Sequence, residues 1–160
     1  SDLRPGRAGR VRDAARRLGL RSVQTLVADG RYPPLTGDGF DRVLLDAPCS
    51  GLGVLRRRPE ARWRLGPADI DRLAALQREL LAAAVPQVRP GGLLAYCVCT
   101  LSREETLDID AWAADTFPSL VPAPAPGPPW RPHGRGALLL PTDAGTDGMF
   151  LLLLQRSPPP

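Results

Sequence analysis

Two short apolar runs, VLLD ending at Asp46 and LLAYCV ending at Val98, flank a stretch in which Ile70, Leu73, Leu76, Leu80 and Ala84 recur at the spacing of one helix face. No other feature restricts the fold as much. Near-continuous apolar strands alternating with helices predict an α/β domain with a mostly parallel sheet and helices on both faces. In such sheets ligands bind beyond the carboxyl ends of the strands. Asp29, Asp46 and Cys99 stand at or just past such ends and Asp2 by the chain's first element, making them candidates for one site.

The remaining elements follow by the same reading. Residues 7–18, RAGRVRDAARRL, predict a helix closed by Gly19, and 22–29, SVQTLVAD, a strand ending on Asp29. A turn-rich segment, 30–39, leads to the strand 41–46. Gly66 and Pro67 open the central helix, with Asp69 in its first turn, and Pro86 ends it. RPGG at 89–92 predicts a turn, and Ser102-Arg103-Glu104-Glu105 a capping box that opens a helix running to about Thr116. Residues 121–136 predict a Pro/Gly-rich linker inside a single domain spanning 1–160, and ALLLP and GMFLLLLQRS predict two strands able to pair before a PPP tail.

With 160 residues, 43% of them hydrophobic, the chain can bury one core. Its longest apolar stretch, MFLLLL, is far below the roughly 20 residues of a membrane helix. Three cysteines, an odd and low number, point away from a disulfide scaffold and toward a reducing, cytoplasmic setting. The lone histidine, His133, falls in the Pro-rich segment, and no metal site is expected. The net charge is +4 and all 21 basic residues are arginine, which suits bidentate contact to phosphate as well as it suits a base-composition bias. The local run Arg56, Arg57, Arg58 is a candidate phosphate-binding loop, with a solvated surface as its plain alternative.

In order along the chain, VADGRYP, FDRVLLDAPCSGLGVLRRRPEARW, LQRELLAAAVPQVRPGGLLAYCVCTLSREET and GTDGMF resemble the RNA 5-methylcytosine methyltransferases of the Sun/Fmu, RsmB-like family. The most specific pieces are DAPCSG and the cysteine that ends the strand before SREE. The resemblance implies a Rossmann-like class I methyltransferase sheet, S-adenosylmethionine as cofactor, and RNA, expected to be ribosomal, as substrate. The chemistry has a physical logic. Carbon 5 of cytosine is a poor nucleophile; adding a thiolate across carbon 6 creates an enamine that attacks a methyl group from carbon 5. A base then removes the carbon 5 proton so that the thiolate can leave.

Carried over by motif, Cys99 is the nucleophile, Cys49 the residue that aids release, and Asp46 the group that hydrogen-bonds the target base. Asp46 also lies with Asp29 and Asp2 on the cofactor side, Asp29 beside the adenine and Asp2 at the ribose hydroxyls. DNA cytosine methyltransferases, similar at this site, use the Pro-Cys cysteine as nucleophile, which would exchange the two roles; the paired thiols in a DAPCSG context favour the RNA type. Arg56, Arg57 and Arg58 with Pro59 and Trp63 resemble the family's RRxPxxxW stretch, Trp63 being expected as a packing residue. Where the family commonly has threonine this chain has Val98, and Cys97 is an addition expected to be a small buried apolar residue.

Before the ribose-binding acid the family has a first strand and a glycine-rich loop that this sequence does not contain, so an amino-terminally truncated methyltransferase domain is expected. A catalytically incompetent fragment with an RNA-binding or structural role is the competing reading. A thiol redox protein is disfavoured by the lack of CxxC.

Overall fold

The computed structural model describes residues 1–35 and 39–158; residues 36–38 of the expected turn segment, and the last two prolines, lie outside the described residues. The chain divides into two compact units, Ser1–Gly37 and Asp38–Pro160.

In the first unit, helix α1 (Pro5–Arg17) starts with proline at its first position and ends at Gly19, whose φ of 68° is the left-handed conformation the expected cap requires. The strand expected at 22–29 does not form a ladder. It makes one isolated parallel bridge, Asp2 to Val27, held by the Asp2 N–H on the Leu26 carbonyl at 3.1 Å and the Ala28 N–H on the Asp2 carbonyl at 3.2 Å. Its partner segment turns into α1 at Pro5, so no further pairs can be added, and Val27 remains exposed.

The second unit is built on a six-stranded sheet. Strands β1 (Phe40–Asp46) and β2 (Val88–Val98) run parallel, joined through a short helix α2 (Ala61–Arg64) and the long helix α3 (Pro67–Ala84). After helix α4 (Leu107–Thr116) come β3 (Leu120–Pro122), β4 (Arg131–His133), β5 (Gly136–Leu139), a single-turn helix α5 (Pro141–Ala144) and β6 (Met149–Arg156). The order is β1-β2-β6-β5-β4, with β3 also on β6. Among these strands only the β1–β2 ladder is parallel; the other four are antiparallel, against the expectation of a mostly parallel sheet. Part of the physical cause lies in the connections: β5 returns to β6 through residues 140–148, which carry only the single turn of α5 and are too short for the crossover that parallel neighbours need.

Two further expectations change. The RPGG turn is absorbed into β2, where the register slips between Phe40 and Arg42, leaving a bulge. The Pro-rich segment is less empty than its composition predicts, since β3 and β4 frame it. Pro132 is tolerated because β4 is an edge strand with no neighbour awaiting its missing N–H.

Alternation along the strands sends Leu94, Tyr96 and Val98 of β2, and Phe150, Leu152 and Leu154 of β6, to one face, where Leu81 of α3 and Ile109 of α4 complete the core. Ile109→Val, which removes one fully buried methyl group, is expected to cost about 1 kcal/mol. The check is a lower urea midpoint at unchanged slope.

Candidate active site

After Asp46 the chain leaves β1 and crosses the end of β2, pinned at two points. The Ala47 N–H donates to the Cys97 carbonyl at 3.1 Å and the Gly53 N–H to the Cys99 carbonyl at 3.0 Å. Gly53 has no room for a side chain, because a Cβ there would lie 2.3 Å from the Gly148 oxygen and 2.9 Å from the Cys99 oxygen. The Gly148 N–H closes the crossing on the Gly53 carbonyl at 2.8 Å. Thus DAPCSG, the cysteine at the end of β2 and GTDGMF, distant in sequence, meet at one backbone junction.

Held between the two pins, Cys49 places its Sγ 3.4 Å from that of Cys99. Two thiols this close titrate as a pair, sharing one proton when the first is lost. The hydrogen bond from Cys49 draws the Cys99 thiol down to about 7, against the opposing effects of burial and Asp46, with help from its own backbone and the Arg58 charge. Cys49 moves upward, because it donates that hydrogen bond to the Cys99 thiolate and is itself buried. The pair is therefore biased toward a thiolate at Cys99 and a thiol at Cys49 near neutral pH.

Asp46 ends β1 directly opposite Cys97 in the parallel register. The Cys97 Sγ lies 3.7 Å from Asp46 Oδ1. Burial and the Asp46 charge push Cys97 up to about 11, so it stays a thiol. Cys97 is half-buried and turned to a carboxylate, not the apolar filler expected of it. Val98 explains itself: strand alternation turns it into the core, fully buried, away from the thiols.

Of the arginine block, Arg56 donates to the Gly145 carbonyl at 2.8 Å and Arg57 pairs with Asp147, so two of the three hold the GTDGMF loop. The Arg58 side chain makes no hydrogen bond or ion pair among the described residues. Trp63, expected to pack, is 83% exposed; it sits in α2, a single turn too short to bury a face, with Arg62 and Arg64 on either side.

Asp2 and Asp29 belong to the first unit. Asp2 Oδ1 accepts the Arg4 N–H at 2.7 Å, and Arg7 lies 3.7 Å from Oδ2, leaving acceptor capacity on the carboxylate. Asp29 is capped by Arg31, whose side chain and N–H both donate to it and hold its carboxyl below the usual range.

Beneath the thiols runs a buried polar network that sequence reading missed. Glu105 was expected to cap a helix at Ser102. Instead α4 starts at Leu107, and the Glu105 carboxylate points inward, accepting from the Ser50 N–H and Gln77 Nε2, each at 2.9 Å, from the Ser50 hydroxyl, and from Ser102 Oγ at 3.0 Å. Gln77 Nε2 also donates to the Pro48 carbonyl at 2.9 Å, and the Tyr96 hydroxyl lies within reach of Gln77 Oε1 and the Glu105 carbonyl. The available signal was a glutamine on the apolar face of α3, one residue after Leu76. His133 joins the same region edge-on to Phe150 and through a hydrogen bond between its Nε2 and Thr106 Oγ1 at 3.4 Å.

A parallel strand pair that brings Asp46 and Cys99 together at its carboxyl ends, with helices crossing between, is the βαβ unit of a Rossmann-like fold. The chain belongs to the 16S rRNA methyltransferase RsmB/F family, whose family model matches residues 1–155. It is 47% identical over 160 residues to a Mycobacterium tuberculosis protein provisionally named methyltransferase MT1451, covering 95% of this chain and 33% of that protein. It is 38% identical to the ribosomal RNA small subunit methyltransferase B of Vibrio cholerae, covering 94% of this chain and 34% of the relative. Among solved structures, PH0851 aligns with a TM-score of 0.91 at 35% identity, covering 97% of this chain and 36% of that one. NSun6 from Pyrococcus horikoshii, solved with SFG, aligns at 0.83 and 28% identity, covering 98% of this chain and 40% of the other. The chain spans about a third of the length of the curated relatives it matches. No helix among the described residues is long and apolar enough to cross a membrane.

Proposed function

We propose that the protein this chain belongs to methylates carbon 5 of a cytosine in RNA, ribosomal RNA being the substrate its relatives' names suggest, through a covalent adduct between Cys99 and carbon 6 of the base. The observation that carries this reading is the asymmetric thiol pair. A covalent route needs a thiolate to attack and a second group to manage the proton at release. Cys99 and Cys49 lie 3.4 Å apart and are biased in those opposite directions.

In this reading the Cys99 sulfur bonds to carbon 6 while the ring electrons shift toward the ring nitrogen, and Asp46, exposed at the end of β1, hydrogen-bonds the base edge that gains a proton. Cys49, no longer hydrogen-bonded to a thiolate once Cys99 is consumed, gives its own proton to water and as the thiolate takes the carbon 5 proton; the C–H electrons re-form the 5,6 double bond as the carbon–sulfur bond breaks and the Cys99 thiolate returns. S-adenosylmethionine, when bound, supplies the methyl group; the SFG in the archaeal NSun6 structure is an analogue of it. The carboxylates fit such a ligand unevenly. Asp2 has acceptor capacity left for ribose hydroxyls, whereas Asp29 is engaged by Arg31 and would have to exchange that partner to accept from the adenine amino group.

RNA backbone is assigned to the arginine loop. Because Arg56 and Arg57 are engaged with residues 145–147, Arg58 is the member free for a phosphate, with the exposed Trp63 nearby in sequence as a platform for a base. Arg58→Gln is expected to weaken RNA binding equally across sequences and to flatten its log-log salt dependence by roughly 0.7. Salt titration of binding to a short single-stranded RNA checks this, and an unchanged slope returns Arg58 to the solvated surface.

The function itself is tested by incubating the full-length protein with ribosomal RNA and methyl-labelled S-adenosylmethionine, then digesting to nucleosides. Label in 5-methylcytidine is expected. Label confined to any other nucleoside overturns the proposal.

A further inference from the structure

Glu105 is 0% exposed, forms no ion pair among the described residues, and meets a donor at each hydrogen bond. A carboxylate this deep costs stability unless its oxygens are fully met, and a leucine or methionine would fill the same volume without that demand. Its partners show what it does.

We propose that Glu105 is the positioning residue of the thiol pair: acting through Ser50 and Thr100, the residues that directly follow Cys49 and Cys99, it holds the two sulfurs at hydrogen-bonding separation. The Ser50 N–H and hydroxyl both donate to its two oxygens, fixing Ser50 in backbone and side chain at once. Ser50 Oγ, its own proton given to Glu105, accepts from Thr100 Oγ1 at 2.7 Å. That bond ties the DAPCSG loop to the end of β2 one residue beyond each sulfur. Gln77 completes the bracket, since one carboxamide donates to Glu105 and to the Pro48 carbonyl, so the residues on both sides of Cys49 are anchored to the same carboxylate.

A thiol donates to a thiolate over a narrow range of distance. If Ser50 shifts, Cys49 moves with it and the Cys99 thiolate loses its donor. Glu105 thus acts on Cys99 through geometry, without touching either sulfur. The inference rests on the proposed function only for the use made of the thiolate; the coupling of the sulfurs is a property of the fold.

The test is alkylation of each cysteine by iodoacetamide as a function of pH in the full-length protein, read by mass spectrometry. In the wild type the Cys99 midpoint is expected at about 7. Glu105→Gln keeps the shape but turns one acceptor into a donor facing other donors; Thr100→Val keeps the shape and deletes the hydroxyl that links to Ser50. Both are expected to raise the midpoint toward about 8.5, a roughly fifteenfold fall in thiolate fraction at pH 7. The midpoint is the readout, because the higher intrinsic nucleophilicity of a more basic thiolate partly offsets the fall in rate.

Ser102→Ala removes a donor from Glu105 without disturbing Ser50 or Thr100 and should leave the midpoint in place. An unchanged midpoint in both Glu105→Gln and Thr100→Val overturns the proposal, as does an equal rise in Ser102→Ala. Should Glu105→Gln fail to fold, Thr100→Val decides alone. The readout needs neither RNA nor methyl donor, so failure of the methylation reading would leave this result standing, and the reverse.

Discussion

Cys99→Ser is expected to abolish both methyl transfer and covalent RNA adducts in the full-length protein, with activity falling by more than about 10³-fold, as when a covalent nucleophile is removed from other enzymes. Cys49→Ala is expected to do the opposite to the adduct, letting it accumulate as a denaturation-resistant protein–RNA band, because carbon 6 is still attacked while release is impaired. The pH dependence carries a second signature. The Cys49 hydrogen bond is the largest influence lowering Cys99, so in the wild type the thiolate is present above about 7 and activity rises through that pH. Without Cys49 the thiolate forms only at higher pH. Adduct formation by Cys49→Ala should therefore be slow at neutral pH and recover on the alkaline side. Adducts that persist in Cys99→Ser but vanish in Cys49→Ala would exchange the two roles.

Gly53→Ala is expected to destabilise the second unit by about 3 kcal/mol or prevent its folding. The added Cβ would fall 2.3 Å from the Gly148 oxygen, 2.8 Å from the Gly148 carbonyl carbon and 2.9 Å from the Cys99 oxygen. All three are backbone atoms, which cannot rotate aside as a side-chain end would. The loop must instead lift off β2, breaking the Gly53 N–H bond to Cys99 and the Gly148 N–H bond to Gly53. A loss of this size lowers the melting temperature by roughly 6–12 °C in a domain of this length. Surviving protein should show Cys99 alkylated with an altered pH midpoint, since the carbonyl of that residue is one of the pins. A melting temperature within about 1 °C of the wild type would mean that the junction is looser than drawn.

Much of this was readable from residues alone, for identifiable reasons. The runs VLLD and LLAYCV, the 3.6-residue spacing of Ile70 to Ala84, and Gly19 after a helical stretch are local signals, and each became the element it predicts. DAPCSG and the cysteine before SREE stood out as the most specific pieces of the family resemblance, and the fold brings their two sulfurs to 3.4 Å. The pairing of β5 with β6 followed from two apolar runs close together in sequence.

What the chain order could not convey was direction and distance in space. The strand expected at 22–29 had the right composition but one residue to pair with, and pairing is a property of neighbours. Glu105 carries a capping-box spacing that is locally plausible, yet its carboxylate turns to Ser50, fifty-five residues away in sequence, because burial makes those donors worth more than an exposed helix end. Arg56 and Arg57 read as free cations until the loop at 145–147 folded against them. The asymmetry of the two cysteines is likewise tertiary: identical thiols acquire opposite tendencies only when a crossing loop, pinned at Ala47 and Gly53, sets them 3.4 Å apart.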